Sequence, residues 1–296
     1  MQPSFLIAIL TGLAAMLGWG FADFFAKKTI DKIGSIVSLV WAHLFGTLAL
    51  ALVALYQSVI VGQQISVPNN LQSWGLLLIF GTLQAVVYLL AYEGFGKGQL
   101  AILNPVFASY SGIAALLSII VFGEIVRGHI LVALALVFLG ILLLNMDTQI
   151  LKLKRFNVIP GFREVGLASL LAAIWTIGWD KFVGGQDGLS YALFMYGFMT
   201  LAAFVFSKIK RINLSVVKPN LWKFLILIGV CEVVAYVALS VGFSTTSYTS
   251  IVVLLSGAFS LPTILLARVF LKEKVSAIQT IGSLIIISGI IILSIL

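Results

Sequence analysis

Charged residues are scarce in this chain: Asp, Glu, Lys and Arg make up 9% of its 296 residues. Soluble globular domains carry about 25% charged residues, so the composition excludes an ordinary soluble domain. Cysteine is rarer still, because Cys231 stands alone inside an apolar run, and this excludes an internal disulfide. The chain also lacks CxxC, HExxH and glycine-rich phosphate-loop motifs, so neither a metal nor a nucleotide cofactor is expected.

Apolar residues, by contrast, make up 61% of the chain, and the mean hydropathy is +1.16. They form continuous runs and not the alternating pattern of a membrane β-barrel. In lipid, backbone polar groups must be satisfied within the segment, so continuous apolar runs indicate helices. The sequence predicts an all-α polytopic membrane protein in a lipid bilayer.

Ten windows are long enough to cross a bilayer, which takes about 17 to 25 predominantly apolar residues. They lie at residues 4–26, 35–61, 74–96, 100–122, 128–146, 164–183, 189–207, 221–243, 248–271 and 276–296. The first window follows no basic segment and is followed by charged residues, so we expect a helix and not a cleaved signal peptide. Short connections make consecutive helices antiparallel neighbours.

The two halves of the chain share a sequence pattern, in which Gly140 aligns with Gly289 and Glu124 with Glu273. Five helices per half is an odd number, so the halves cross the membrane in opposite directions and form two inverted five-helix repeats. The predicted units are a first repeat at 1–146, a basic linker at 147–163 and a second repeat at 164–296.

Three features carry a resemblance to a known family: the two five-helix halves, the segment WGFADFFAK at 19–27, and a glutamate-bearing turn before the last helix of each half. Together they resemble the EamA-type transporters of the drug/metabolite transporter superfamily. The second half departs from the pattern, because Trp175 is followed by Thr176 and not by glycine. The resemblance implies a secondary transporter, not an enzyme, that moves small metabolites or drugs by alternating access.

Basic residues are distributed unevenly among the connections. The odd-numbered connections hold all 18 Lys and Arg residues except Arg127 and Lys181. The positive-inside rule therefore predicts a cell-membrane protein with its odd-numbered connections in the cytoplasm and both termini outside. EamA-type carriers are usually drawn with cytoplasmic termini, and we prefer the charge distribution because the connections are short. The same distribution accounts for the net charge of +8 without a nucleic-acid partner.

Polar side chains form a stripe in the third and eighth predicted helices. Glu232 lies 11 residues from either end of its window, about 16 Å from each interface by helical rise. A carboxyl group at that depth generally faces a cavity or a partner. The stripes are Gln84, Tyr88 and Tyr92 in one helix, and Glu232, Tyr236 and Ser240 in the other. We expect them to line a wet central substrate cavity; the alternative is that a protonated Glu232 only joins helices by hydrogen bonds.

The first helix of each half adds aromatic rings and carboxylates to the candidate substrate site. These residues are Trp19 and Asp23 in the first half, and Trp175, Trp179 and Asp180 in the second. An aromatic surface beside a carboxylate suits a cationic or zwitterionic amine. An alternative of equal weight is that the tryptophans form a belt at the membrane interface and the carboxylates are ordinary charges near helix ends. In that case Asp23 could pair with Lys27.

The remaining polar residues are interpreted as structural. Glu93 and Lys97 are expected to form a local pair. Glu124 and Glu273 are expected to complement the N termini of the fifth and tenth helices. His43 could titrate near neutral pH, but an interhelical hydrogen bond is the preferred interpretation.

The sequence therefore predicts a secondary transporter for a small organic metabolite such as an amine, an amino acid or a drug-like cation. If transport is coupled to protons, Glu232 is the residue expected to carry them. One alternative is an intramembrane enzyme, for which the chain lacks a nucleophile–base or metal constellation. The other is a channel-like structural subunit, which would not need two matched halves. The sequence gives no prediction of oligomeric state.

The predicted orientation can be tested with accessibility tags. We expect a tag at the C-terminus to be labelled from outside intact cells, and a tag in the seventh connection, near Lys210, to be labelled only after permeabilisation. The opposite labelling pattern would contradict the orientation that the charges predict.

Overall fold

A computed structural model describes residues 3–145 and 159–295, and within these ranges it contains ten helical segments and no strand. The segments are α1 (Pro3–Ile33), α2 (Ser35–Val61), α3 (Leu71–Lys97), α4 (Leu100–Ile120), α5 (Gly128–Asn145), α6 (Phe162–Val183), α7 (Gly188–Ile209), α8 (Trp222–Thr245), α9 (Thr249–Leu271) and α10 (Ala277–Ile295). Eight of them are long and apolar enough to cross a membrane, and α5 has a shorter apolar stretch. Helix α6 is not among these apolar helices, because it carries charged residues in its first turn and near its end. The prediction of an all-α polytopic membrane protein is confirmed.

Most of the predicted linker at 147–163 lies outside the described residues. The linker is described from residue 159 onward, and α6 begins within it at Phe162, two residues before the predicted start of the second repeat. Gly161 precedes this helix with a φ of 85°, in the left-handed region, and a Cβ there would clash with the carbonyl group of Gly94 on α3. Glycine is therefore needed at residue 161 both for the turn and for the close approach of the two repeats.

The two repeats contact each other in matching ways. Helix α1 packs against α8 as α6 packs against α3, and α2 packs against α8 as α7 packs against α3. The fifth helix of each repeat, α5 or α10, packs against its counterpart. This exchange of equivalent contacts is what a pseudo-twofold axis between inverted repeats produces.

The contact between α5 and α10 is built on small residues. A Cβ at Gly140 would lie 2.7 Å from the carbonyl oxygen of Gly282, and a Cβ at Gly289 would lie 2.9 Å from that of Ala133. Gly140 and Gly289 are the glycines that the sequence repeat aligns. The two repeats therefore make equivalent contacts, one from α5 to α10 and one from α10 to α5. Small residues allow close helix packing in lipid, where van der Waals contact replaces the hydrophobic effect.

Two of the helices are broken near the middle of the bundle. The segments Leu100–Ala108 and Tyr110–Ile120 make up α4, and α9 is interrupted between Gly257 and Ser260. Pro105 has no N–H group and so leaves the carbonyl group of Ala101 without its helical partner. The side chain of Gln279 on α10 supplies the missing bond, with its Nε2 2.9 Å from that oxygen.

Glu124 and Glu273 bind the opposite repeats. Oε2 of Glu124 accepts a hydrogen bond from the backbone N–H of Ser250 at 2.9 Å, at the start of α9. Oε2 of Glu273 accepts one from the backbone N–H of Ala101 at 2.9 Å, at the start of α4. The expectation that these carboxylates complement α5 and α10 is therefore wrong, because each side chain reaches across the interface to a helix whose first N–H groups lack helical partners. We call these contacts the cross-repeat caps.

We expect Gly140→Ala to lower the midpoint of thermal unfolding in detergent, because the added Cβ would lie 2.5 Å from the side chain of Ile286. Overpacking of this kind costs about 1–3 kcal/mol. Gly197→Ala on α7 is the matched control, since no heavy atom lies within 4 Å of its added Cβ and alanine is the better helix former. An unchanged midpoint for Gly140→Ala would contradict the close α5–α10 contact.

Candidate functional site

Both repeats contribute side chains to a small cavity near the centre of the bundle, which we call the central cavity. Its volume is about 20 Å³, and a single water needs roughly 10–15 Å³. The cavity is lined by Trp19, Asp23, Gln84, Tyr88, Phe107, Tyr110, Ala172, Trp175, Thr176 and Phe259. The expected wet chamber is therefore nearly filled by side chains in this conformation.

Asp23 is the carboxyl group that faces the central cavity. Its helix continues to Ile33, so Asp23 lies well inside α1, not near a helix end as the sequence suggested. The side chain is 2% exposed, and Nδ2 of Asn104 on α4 donates a hydrogen bond to its Oδ2 at 2.6 Å. An amide of α4 thus orients the carboxyl group, and sequence analysis missed that amide.

Lys27 does not pair with Asp23, so the alternative that included this i, i+4 pair is wrong on this point. Its Nζ donates to the carbonyl oxygens of Phe95 at 2.7 Å and Gly98 at 3.0 Å, and lies 2.9 Å from the carboxylate of Asp31. The ammonium group thus points to the end of α3, and within residues 3–145 and 159–295 no lysine forms an ion pair with the carboxyl group in the central cavity.

Trp19 and Trp175 supply one aromatic surface from each repeat. Both rings pack edge-on against Tyr236, with centroid distances of 5.5 Å and 6.0 Å. Nε1 of Trp175 donates a hydrogen bond to the carbonyl oxygen of Phe80 at 3.0 Å. Since both rings are buried inside the bundle, the alternative of an interfacial tryptophan belt does not describe them.

Three buried polar atoms around the central cavity lack hydrogen-bond partners among the described residues. They are Nε1 of Trp19, Oε1 of Gln84 and Oδ1 of Asn104. An unsatisfied buried polar group costs about 1–3 kcal/mol, and native structures keep few of them. Trp19 and Gln84 line the cavity, so one donor and one acceptor are available there beside Asp23.

Glu232 belongs to a different group of side chains, which we call the carboxylate cluster: Glu232, His43, Tyr92 and Tyr196. The hydroxyl group of Tyr92 donates to Oε1 at 3.1 Å, and that of Tyr196 donates to Oε2 at 2.5 Å. Nε2 of His43 lies 3.0 Å from Oε2. All four side chains are fully buried. Glu232 is turned inward as expected, but it does not line the central cavity.

The other predicted residues of helices α3, α6 and α8 join these helices together. Nε2 of Gln84 donates to the hydroxyl oxygen of Tyr236 at 2.6 Å. Nε1 of Trp179 donates to Oγ of Ser240 at 3.2 Å. Tyr88 packs against Tyr236 and lines the central cavity. The two predicted polar stripes therefore meet, although Trp179 and Ser240 are absent from the cavity lining.

Asp180 lies apart from the central cavity. It lines a larger cavity of about 540 Å³, which we call the vestibule, at the end of the bundle formed by the even-numbered connections. Oγ1 of Thr249 donates to its Oδ1 at 2.9 Å, and Nζ of Lys181 lies 3.3 Å from its Oδ2. Asp180 thus connects α6 to α9 beside the vestibule, and it does not join Trp175 at the central cavity.

The opposite end of the bundle is closed by contacts between the repeats. The predicted pair of Glu93 and Lys97 is confirmed at 3.2 Å, and Lys97 also binds Glu164 of the second repeat at 2.6 Å. The cap of Glu273 and the contact of Gly161 with α3 lie at the same end. Access from this side therefore requires the repeats to separate.

The sequence prediction left several polar residues out of the site, and they include His43, Asn104 and Tyr196. For His43 the expected interhelical hydrogen bond is not formed: Nε2 lies 3.0 Å from Oε2 of Glu232, but neither ring nitrogen has a hydrogen-bond partner among the described residues. Asn104 had a usable signal, since it is an amide inside an apolar helix. Tyr196 had none, because its window is rich in aromatic residues throughout.

No group of three or more His, Cys, Asp or Glu side chains in 3–145 and 159–295 is arranged to bind a metal.

Comparison with known proteins agrees with this architecture. The family model described as the EamA-like transporter family matches residues 6–146 and 165–295, one region in each repeat, and this confirms the resemblance seen in the sequence. A crystal structure of another protein aligns with a TM-score of 0.72, covering 97% of this chain and 96% of its own, at 16% identity. At that identity the likeness concerns the fold alone. No curated protein matches the chain.

We expect Tyr196→Phe to lower the midpoint of thermal unfolding in detergent, because it removes a hydroxyl donor from the buried carboxyl group of Glu232. Hydrogen bonds to charged groups contribute about 1.5–3 kcal/mol. Tyr191→Phe on the same helix is the matched control, since this hydroxyl lies outside the carboxylate cluster. Equal midpoints for the two variants would contradict the hydrogen bond to Glu232.

Proposed function

The chain belongs to the EamA-like transporter family, and we propose that it is a secondary transporter that exchanges access to one central site between the two sides of the membrane. Family membership supports a transporter of small molecules, not an enzyme, in a multi-pass membrane protein. We further propose that the substrate is a small organic cation with an amine group, and that the protein lies in the cell membrane.

The observation that carries this proposal is the carboxyl group of Asp23 in the central cavity, between the aromatic rings of Trp19 and Trp175. A substrate ammonium group would form an ion pair with the carboxylate and cation–π contacts with the rings. It would also give a hydrogen-bond donor to the free Oε1 of Gln84, which lines the cavity. The carboxylate, the aromatic faces and the free acceptor at the cavity thus each have a complement on a cationic amine.

The cavity lining also argues against a substrate carboxylate. It contains neither lysine nor arginine, so an anionic group would be buried beside Asp23 without a positive partner. An unpaired buried charge costs several kcal/mol. Among amines, amino acids and drug-like cations, the range that the sequence predicted, these charges favour cations that lack a carboxylate.

Alternating access accounts for the two cavities. In the conformation described, the vestibule opens at one end, the central cavity is closed around about one water volume, and the other end is sealed. The breaks in α4 and α9 border the central cavity through Phe107, Tyr110 and Phe259. Broken helices beside a midplane site are common in transporters built from inverted repeats. We propose that bending at these breaks widens the cavity.

Binding of a matched pair of compounds tests the substrate class. We expect phenethylamine to raise the thermal midpoint of the detergent-solubilised protein, and phenylalanine, which adds only a carboxylate, to have little effect. Asp23→Asn is expected to weaken phenethylamine binding at least about tenfold, because a buried ion pair is worth more than 1.4 kcal/mol. Isothermal titration calorimetry would measure the change.

Glu93→Gln is the control for the loss of a carboxylate, since Glu93 lies at an exposed helix end away from the central cavity. This variant should bind phenethylamine as the wild type does. Undiminished binding by Asp23→Asn, or tighter binding of phenylalanine than of phenethylamine, would contradict the proposed site.

A further inference from the structure

An apolar groove runs along the outer surface of the bundle between α3 and α7, and we call it the lateral groove. Its volume is about 330 Å³, which falls within the roughly 300–1,000 Å³ of ligand pockets. Among the described residues that line it, Thr82 alone has a polar side chain and none is charged. The groove therefore suits an apolar ligand and not the amine of the proposed substrate.

Small residues form the floor of the lateral groove. The two helices touch at Gly81, where a Cβ would lie 2.6 Å from the carbonyl oxygen of Met195. Ala85 lies one turn further along α3 and is 2% exposed, and Ala202 lies opposite on α7. The side chain of Leu201 beside it is exposed on the outer surface of the bundle. A groove with alanines at its base and exposed apolar residues along its side is open to the lipid and has room for an extended chain.

The lateral groove is about as long as one leaflet of a bilayer. It extends from Leu78 to Leu89 on α3 and from Phe198 to Ile209 on α7. This is 11 residues on each helix, or about 16 Å by helical rise. The hydrocarbon core of a bilayer is about 30 Å thick, so each leaflet takes about 15 Å of it. The dimensions thus match a lipid acyl chain that lies along the two helices.

Three basic residues lie where the groove ends, and we call them the basic edge: Lys208, Lys210 and Arg211. The ammonium group of Lys210 lies 5.6 Å from the centre of the Phe206 ring, which lines the groove. All three basic residues are exposed. Within residues 3–145 and 159–295, none of them forms an ion pair with a carboxylate. Unpaired positive charge is therefore present where α7 leaves the membrane.

The carboxylates near this end of the groove do not cancel the charge of the basic edge. Glu93, one turn beyond Leu89 on α3, lies 3.2 Å from Nζ of Lys97, and the carboxylate of Glu164 lies 2.6 Å from the same ammonium group. Two carboxylates thus share one lysine. With the three residues of the basic edge, the net charge of these groups is positive.

We propose that the lateral groove and the basic edge form a binding site for an anionic phospholipid, with one acyl chain in the groove and the phosphate group on Lys210 and Arg211. An arginine side chain can donate two parallel hydrogen bonds to phosphate oxygens, and a lysine adds a compact positive charge. The groove alone would accept the chain of any lipid, so the basic edge selects the negative headgroup. The site is separate from the central cavity and does not depend on the identity of the substrate.

A lipid bound in this way connects the two repeats. Helix α3 belongs to the first repeat and α7 to the second, and both helices end on the side of the bundle that is sealed by Lys97 and Glu164. A ligand that binds only the folded protein raises its stability. We therefore expect an anionic phospholipid to raise the midpoint of thermal unfolding in detergent more than a zwitterionic phospholipid does.

Competition between two lipids with identical chains tests the site. Dioleoylphosphatidylglycerol is anionic, and dioleoylphosphatidylcholine is zwitterionic. The detergent-solubilised protein is mixed with equal amounts of both, and the lipids that it retains in native mass spectrometry are released and identified by mass. One basic residue near an anionic surface contributes about fivefold in affinity. We expect the wild type to prefer phosphatidylglycerol at least about tenfold, and Lys210→Gln and Arg211→Gln each to lower this preference about fivefold.

A substitution in the groove tests where the acyl chain lies. Ala202→Phe places a ring between α3 and α7, so it should lower the retention of both lipids and abolish the rise in thermal midpoint that phosphatidylglycerol gives the wild type. Ala51→Phe is the matched control, because Ala51 is an exposed alanine on α2 outside the groove. Lys274→Gln controls for the loss of positive charge, since Lys274 is exposed in the connection between α9 and α10. Both controls should behave as the wild type does.

Three results would overturn the site. The first is equal retention of the two lipids by the wild type, or a preference that Lys210→Gln and Arg211→Gln both keep. The second is undiminished retention of phosphatidylglycerol by Ala202→Phe. The third is a wild-type dimer that Ala202→Phe converts to a monomer in size-exclusion chromatography, which would show that a second copy of the chain occupies the groove. Lys210→Gln changes only an exposed side chain, so it decides the matter even if Ala202→Phe fails to fold.

Discussion

The constraint behind this structure is that a polar group inside a membrane needs a partner within the protein. The buried carboxyl groups of Glu232 and Asp23 show this constraint most clearly. Glu232 has three partners from three helices, whereas Asp23 has a single amide partner and faces a cavity. The bundle thus encloses one acid and leaves the other facing a cavity. The two acids therefore differ in how far a ligand could reach them.

Most of the fold could be predicted from the sequence, because lipid turns each crossing into a long apolar run that is easy to recognise. The inverted arrangement followed from the odd number of helices per half. The ends of helices were harder to predict. Helix α1 continues past its apolar window to Ile33, since Lys27 finds carbonyl partners on α3 and so stays within the helix. Such partners are distant in sequence and leave no local signal.

The candidate site was predictable in its helices but not in its contacts. A period of four residues identified which faces of α3 and α8 are polar, and these faces do meet. The pattern could not say which polar residue turns toward a cavity and which toward another helix. For Glu232, the hydrogen bond from Tyr196 turns the side chain toward another helix. The hydroxyl group of Tyr196 fits there only because residue 46 on α2 is glycine. Neither Tyr196 nor Gly46 can be recognised as important from the sequence alone.

The cross-repeat caps have a consequence for how such a protein can be assembled. The first turn of α4 is completed by Glu273 of the second repeat, and that of α9 by Glu124 of the first. Neither five-helix unit contains the carboxylate that its own broken helix needs. A single unit would have to meet an oppositely inserted copy before that helix was complete, so joining two units in one chain guarantees each its complement during biosynthesis.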